Sequence, residues 1–204
     1  MEFLRWRQLW QALGITLLED RSWTELQALY REPTRAYHTL HHIAECLNRF
    51  DEVCHLARHP LEMELALWLH DVIYDTHRSD NEEASAQWAQ SHLLAAGVAA
   101  EIVQRVVELI HLTKHVDEPT DEDGALLLDI DLAILGADPE RFAEYETQVR
   151  QEYQWVPWPA FCTGRSKILR AFLQRPSIYR TDFFRERLET QARINLAASL
   201  VRMA

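Results

Sequence analysis

The chain has 204 residues, 48% of them hydrophobic, and a formal charge of -11 at pH 7. That length and apolar content suffice for one sizeable core, and a single domain over 1–204 is expected. The acidic balance argues against general nucleic-acid binding, which needs clustered Lys and Arg; no apolar run approaches the roughly 18 residues of a membrane span.

Five glycines and seven prolines, with apolar residues recurring every three or four positions, predict an all-α fold. A first helix is expected over Phe3 to Leu18. A second should start near Ser22, where Ser22-Trp23-Thr24-Glu25 has capping-box order. From about Thr34 the next runs through His38 and His42 toward Pro60, followed by one over Leu61 to Ile73. A polar loop, Asp75 to Asp80, precedes a helix that begins at Asn81 and ends before Gly97. Helices over Val98 to Thr113 and Ala125 to Leu135 should flank a solvated acidic loop, Asp117 to Gly124. Beyond Pro139 the pattern gives Phe142 to Tyr153, a Pro-interrupted turn at Trp155 to Pro159, Phe161 to Leu173, and Asp182 to Val201. The aromatic residues Tyr153, Trp155, Trp158 and Phe161 fit helix packing better than a ligand wall. Cys46, Cys54 and Cys162 form neither a CxxC pair nor an even disulfide framework, and reduced thiols are expected. The amino terminus lacks a signal-peptide layout, so a cytoplasmic location is expected.

The most informative stretch is Leu65-Ala66-Leu67-Trp68-Leu69-His70-Asp71. An imidazole and a carboxylate leaving an apolar helix need partners, and a divalent cation satisfies both. Further ligand types stand at His38, His42, His111, His115, Asp129 and Asp131. Spacing of four puts His38 with His42, and His111 with His115, on single helix faces. Asp129 and Asp131 point about 200° apart on a helix, so only one of them can face an ion.

Four segments carry a resemblance: Tyr37-His38-Thr39-Leu40-His41-His42-Ile43, Trp68-Leu69-His70-Asp71-Val72-Ile73-Tyr74-Asp75, Asp80-Asn81-Glu82-Glu83-Ala84-Ser85-Ala86, and Leu128-Asp129-Ile130-Asp131-Leu132-Ala133-Ile134-Leu135-Gly136. In this order they resemble the H…HD…D signature of HD-domain metal-dependent phosphohydrolases, in particular a bacterial branch of predicted enzymes. Gly164-Arg165, Ile178-Tyr179 and Ala192-Arg193-Ile194-Asn195-Leu196 extend the likeness over nearly the whole chain.

The resemblance implies an HD-type helical bundle with added amino- and carboxy-terminal helices. The metal core would span about 34–136, with helices 138–204 packed on it. One divalent ion (Mn, Mg, Fe, Co, Ni or Zn) would be held by His42, His70, Asp71 and Asp131. The expected chemistry is water attack on a small phosphate ester, possibly a nucleotide, with Asp71, Glu82 and His115 as candidate acid or base groups. Arg35, Lys114 and Arg165, the last near Lys167, are candidate phosphate contacts, as is His38, which could instead support His42 or bind a second metal. Two alternatives remain open at this point: a di-iron oxygenase recruiting His92 and His115, and a noncatalytic nucleotide sensor.

Overall fold

The computed structural model describes residues 2–15 and 19–203, and among these the protein is all-helical with no strand. The chain divides into two compact units, one up to Leu127 and one from Leu128 onward. Among the described residues no helix is long and apolar enough to cross a membrane.

The first unit contains α1 (Glu2–Ala12), α2 (Glu19–Tyr30), α3 (Leu40–Val53), α4 (Pro60–Leu69), α5 (Asn81–Ala95), α6 (Ala100–Leu112) and most of α7 (Glu122–Asp131). Its centre is α4. Residues Leu65 to Leu69 are each at most 1% exposed, because this half of the helix is apolar on every side and α1, α3, α5 and α6 all pack against α4. Trp68 anchors the packing, meeting Trp6 edge-on at 5.4 Å and Trp23 at 6.0 Å between ring centroids.

Local chemistry sets the helix ends, and in places it overrides the sequence pattern. The helix expected to reach Leu18 stops at Ala12; Leu18 itself lies outside the described residues. Gly14 adopts φ +78°, and Ile15 N donates to Trp10 O while Gly14 N donates to Gln11 O. This glycine-terminated cap satisfies the last carbonyls. Gly97 ends α5 the same way, at φ +87°, as expected. Ser22 does not cap α2, which begins three residues earlier; its hydroxyl accepts instead from Trp6 Nε1 at 3.0 Å. The acidic loop is only partly solvated. Asp123 is fully buried and accepts from the backbone of Arg58 (2.8 Å) and His59 (3.0 Å), tying the start of α4 to α7.

The second unit holds the end of α7, a 3₁₀ turn over Leu132–Gly136, α8 (Pro139–Glu152), α9 (Trp158–Gln174) and α10 (Asp182–Arg202). The helix expected to continue to Leu135 thus tightens at Leu132. The turn packs on α10, where Asn195 Nδ2 donates to the carbonyls of Leu135 (2.9 Å) and Ala137 (2.8 Å). A Cβ at Gly136 would lie 2.6 Å from Leu188 Cβ and 2.9 Å from Tyr179 Oη. Gly136→Ala is therefore expected to destabilise this unit by about 1–3 kcal/mol in denaturant unfolding.

Glu189 on α10 accepts from the backbone N–H groups of Ile178 and Tyr179 and from Arg193. Burial pushes its carboxyl up, but these donors outweigh it and hold it below the usual glutamate value of 4.5. A depressed folded value stabilises the protein above the unfolded value, and that contribution disappears as pH falls through the folded one. Glu189→Gln is expected to flatten the acid limb of a stability-versus-pH curve below about pH 4.5; an unchanged limb would refute the assignment.

Candidate metal centre

α3 and α4 bring two imidazoles together edge-on, 5.3 Å between ring centroids. Thr39 caps α3, its hydroxyl accepting from His41 N at 3.2 Å. His42 then falls on the apolar face with Ile43, Cys46, Leu47 and Phe50 and is buried. His70 is the C-cap of α4 and equally buried, each ring residue being 2% exposed. Its Nδ1 lies 3.0 Å from the Leu67 carbonyl. A carbonyl only accepts, so Nδ1 carries the hydrogen, and Nε2 of the neutral ring keeps a lone pair.

That Nε2 stands 3.3 Å from His42 Nε2. Asp71 Oδ2 lies 3.1 Å from His70 Nε2 and 3.6 Å from His42 Nε2. Three ligand-type atoms therefore form a triangle with edges of 3.1 to 3.6 Å. Two bonds of about 2.0–2.1 Å at a tetrahedral angle separate donors by about 3.3 Å, so this set can hold a divalent ion. Burial pushes the Asp71 carboxyl up, yet the positive charge that the imidazoles of His70, His38 and His42 carry when protonated holds it well below the usual carboxylate range. The negative charge that would draw imidazolium protons would equally draw a cation.

The turn bearing Asp71 is tied down at several points. The Arg35 side chain is wholly buried, and its guanidinium donates to the carbonyls of His38 (3.1 Å), Asp71 (2.6 Å) and Val72 (2.9 Å) and to the Glu32 carboxylate (3.0 Å). It also lies 5.1 Å from the Tyr30 ring and 5.7 Å from that of Tyr74. Expected as a phosphate contact, Arg35 is instead committed to backbone carbonyls. Ser85 Oγ accepts from Ile73 N and donates to Ile73 O, both at 3.1 Å. Asn81 brackets Asp75 through N–H and carbonyl contacts of 3.0 Å.

The remaining candidates are dispersed. His38 precedes α3 rather than sharing a helical face with His42, because Thr39 starts that helix; its ring stacks on Tyr74 at 3.9 Å and lies 6.0 Å from His42's. Glu82 is half-buried in the first turn of α5. His111 pairs with Glu83 at 3.4 Å. His115 lies beyond the end of α6 at φ +56°, so it does not share a helical face with His111. Lys114 is exposed, and its charge reaches Asp80. His92 stacks on Trp88 at 3.5 Å and faces Glu25 at 3.8 Å.

Within the second unit, Arg165 donates to Tyr145 Oη (2.8 Å) and to Glu146 (3.1 Å through Nε), and Ser199 also donates to Glu146. Asp129 is consumed by the start of α10, accepting from Arg180 N (2.8 Å) and from Thr181 N and Oγ1 (2.7 Å each). Asp131, half-buried, is the last residue of α7. Sequence reasoning gave Tyr74 and Ser85 no role beyond their place in the resembling segments; for Ser85 the four-residue spacing from Asn81 on one face of α5 was the available signal.

No protein-family model matches the chain, and no curated protein or solved structure is significantly similar to it.

Proposed function

We propose that the protein is an HD-type metal-dependent phosphohydrolase acting on a small phosphate ester, with one divalent ion held by His42, His70 and Asp71. The observation that carries this reading is the triangle of His42 Nε2, His70 Nε2 and Asp71 Oδ2, two of its members buried on helices and the third on a pinned turn. Such an ion, when bound, supplies a Lewis acid for a phosphoryl oxygen and lowers the pKa of water toward neutrality.

The chain's own residues do the rest. The Leu67 carbonyl keeps the His70 lone pair on Nε2, and Asp71 stays ionised, able to accept a hydrogen bond from an attacking water. Arg35 fixes the backbone of that carboxylate, and in this reading His38, half-buried and stacked on Tyr74, is the donor to an anionic phosphate. Cys46, Cys54 and Cys162 form no disulfide, which fits a reducing, cytoplasmic setting, and the net charge of -11 disfavours a nucleic-acid substrate.

Elemental analysis of the purified protein, together with a phosphoester panel assayed with Mn, Mg, Co and Ni, tests the proposal. Metal-stimulated phosphate release with one ion per chain is expected. Two irons per chain with oxygen uptake, or ligand-induced thermal stabilisation without any product across the panel, would overturn it.

A further inference from the structure

His38 is held from several sides at once. Its carbonyl accepts from Arg35 Nη1 at 3.1 Å, and its ring lies on the Tyr74 ring with centroids 3.9 Å apart and planes 24° from parallel. Buried Tyr37 meets that imidazole edge-on at 5.0 Å and reaches the His42 ring at 4.7 Å. The Asp71 carboxyl registers the charge of His38 more strongly than that of His42, which sets the His38 ring close to the donor triangle.

Tyr74 is a fixed platform rather than a loose cover. Its neighbours along the chain are both clamped by α5, Ile73 through Ser85 Oγ (3.1 Å to N and to O) and Asp75 through Asn81 (3.0 Å to N and to O). The Arg35 guanidinium lies 5.7 Å from the same ring. His38 and Tyr74 are both half-buried. A histidine at such a rim otherwise samples several rotamers, and freezing one of them only on binding subtracts from affinity.

We infer that Tyr74 is a positioning residue, which acts through His38 by holding its imidazole ready for an anionic phosphate. This rests on the phosphohydrolase reading and on His38 as the phosphate donor within it.

Titration of the full chain, loaded with Mg, with inorganic phosphate provides the test. Tyr74→Leu is expected to weaken phosphate by about fivefold to tenfold while Mg affinity holds, and Tyr74→Phe, which keeps the ring, to restore it. In a His38→Ala background Tyr74→Leu should add no further loss. Proton spectra of the metal-free chain answer without any variant: the His38 ring protons should lie upfield of those of an exposed histidine such as His41, shifted by the Tyr74 ring. Absence of phosphate binding by the unaltered protein would overturn the phosphohydrolase reading and this inference with it. Where phosphate does bind, undiminished affinity in Tyr74→Leu, the same loss in the His38→Ala background, or unshifted His38 protons would each overturn the inference alone.

Discussion

Replacing His70 with alanine is expected to lower divalent-ion affinity by more than about a hundred-fold, since loss of an outer partner alone costs 10–100-fold, and to abolish phosphoester turnover. The substitution deletes one corner of the donor triangle and leaves His42 Nε2 and Asp71 Oδ2, 3.6 Å apart, as the remaining pair. It also removes a bulky side chain from a fully enclosed position, so folding must be followed alongside binding. His70→Gln keeps most of the volume and separates the two effects. Isothermal titration with Mn or Ni should show the loss in both variants, whereas thermal unfolding should be perturbed mainly in His70→Ala. Full affinity in a folded His70→Gln protein would remove His70 from the ligand set.

Arg35→Ala carries the second large effect, on stability as well as on the metal. The guanidinium serves three carbonyls and one carboxylate from a fully buried position. Truncation leaves those acceptors without their donor, and breaking such a buried ionic network costs about 3–5 kcal/mol. Because Asp71 and Val72 lose their tether, metal affinity should also fall by roughly tenfold in the fraction that remains folded. Arg35→Lys should recover little, since one ammonium cannot span carbonyls that the planar fork reaches together. Denaturant midpoints and metal titrations on both variants check this; a lysine variant with unaltered stability would show that the fork geometry is dispensable.

The pair at the heart of the candidate site was legible because an ionisable dipeptide closes a run of apolar residues, and burial of that run could be read from its composition. The helices α5 and α10 begin where expected, at Asn81 and Asp182, while α8 begins at Pro139, three residues before the expected Phe142. Legibility failed where a side chain spends its hydrogen bond on a distant residue. Ser22 has the right neighbours for a cap, but the Trp6 indole claims its hydroxyl. Asp123 looks solvated among acids, yet it fastens the backbone of Arg58 and His59. A cation preceding the histidines reads as a phosphate contact, and nothing in the local sequence around Arg35 announces that three main-chain oxygens surround it. His38 was misplaced for a smaller reason, a helix boundary one residue away at Thr39.

The enclosure of α4 has a dynamic corollary. Amide protons of Leu67 to His70 lie behind four neighbouring helices, so deuterium can reach them only through cooperative opening of the surrounding bundle, not through fraying at a helix tip. The histidine at the end of that helix is thereby built on the segment with the least freedom to wander, and the spacing of its ring nitrogen from its neighbours inherits the rigidity of the interior.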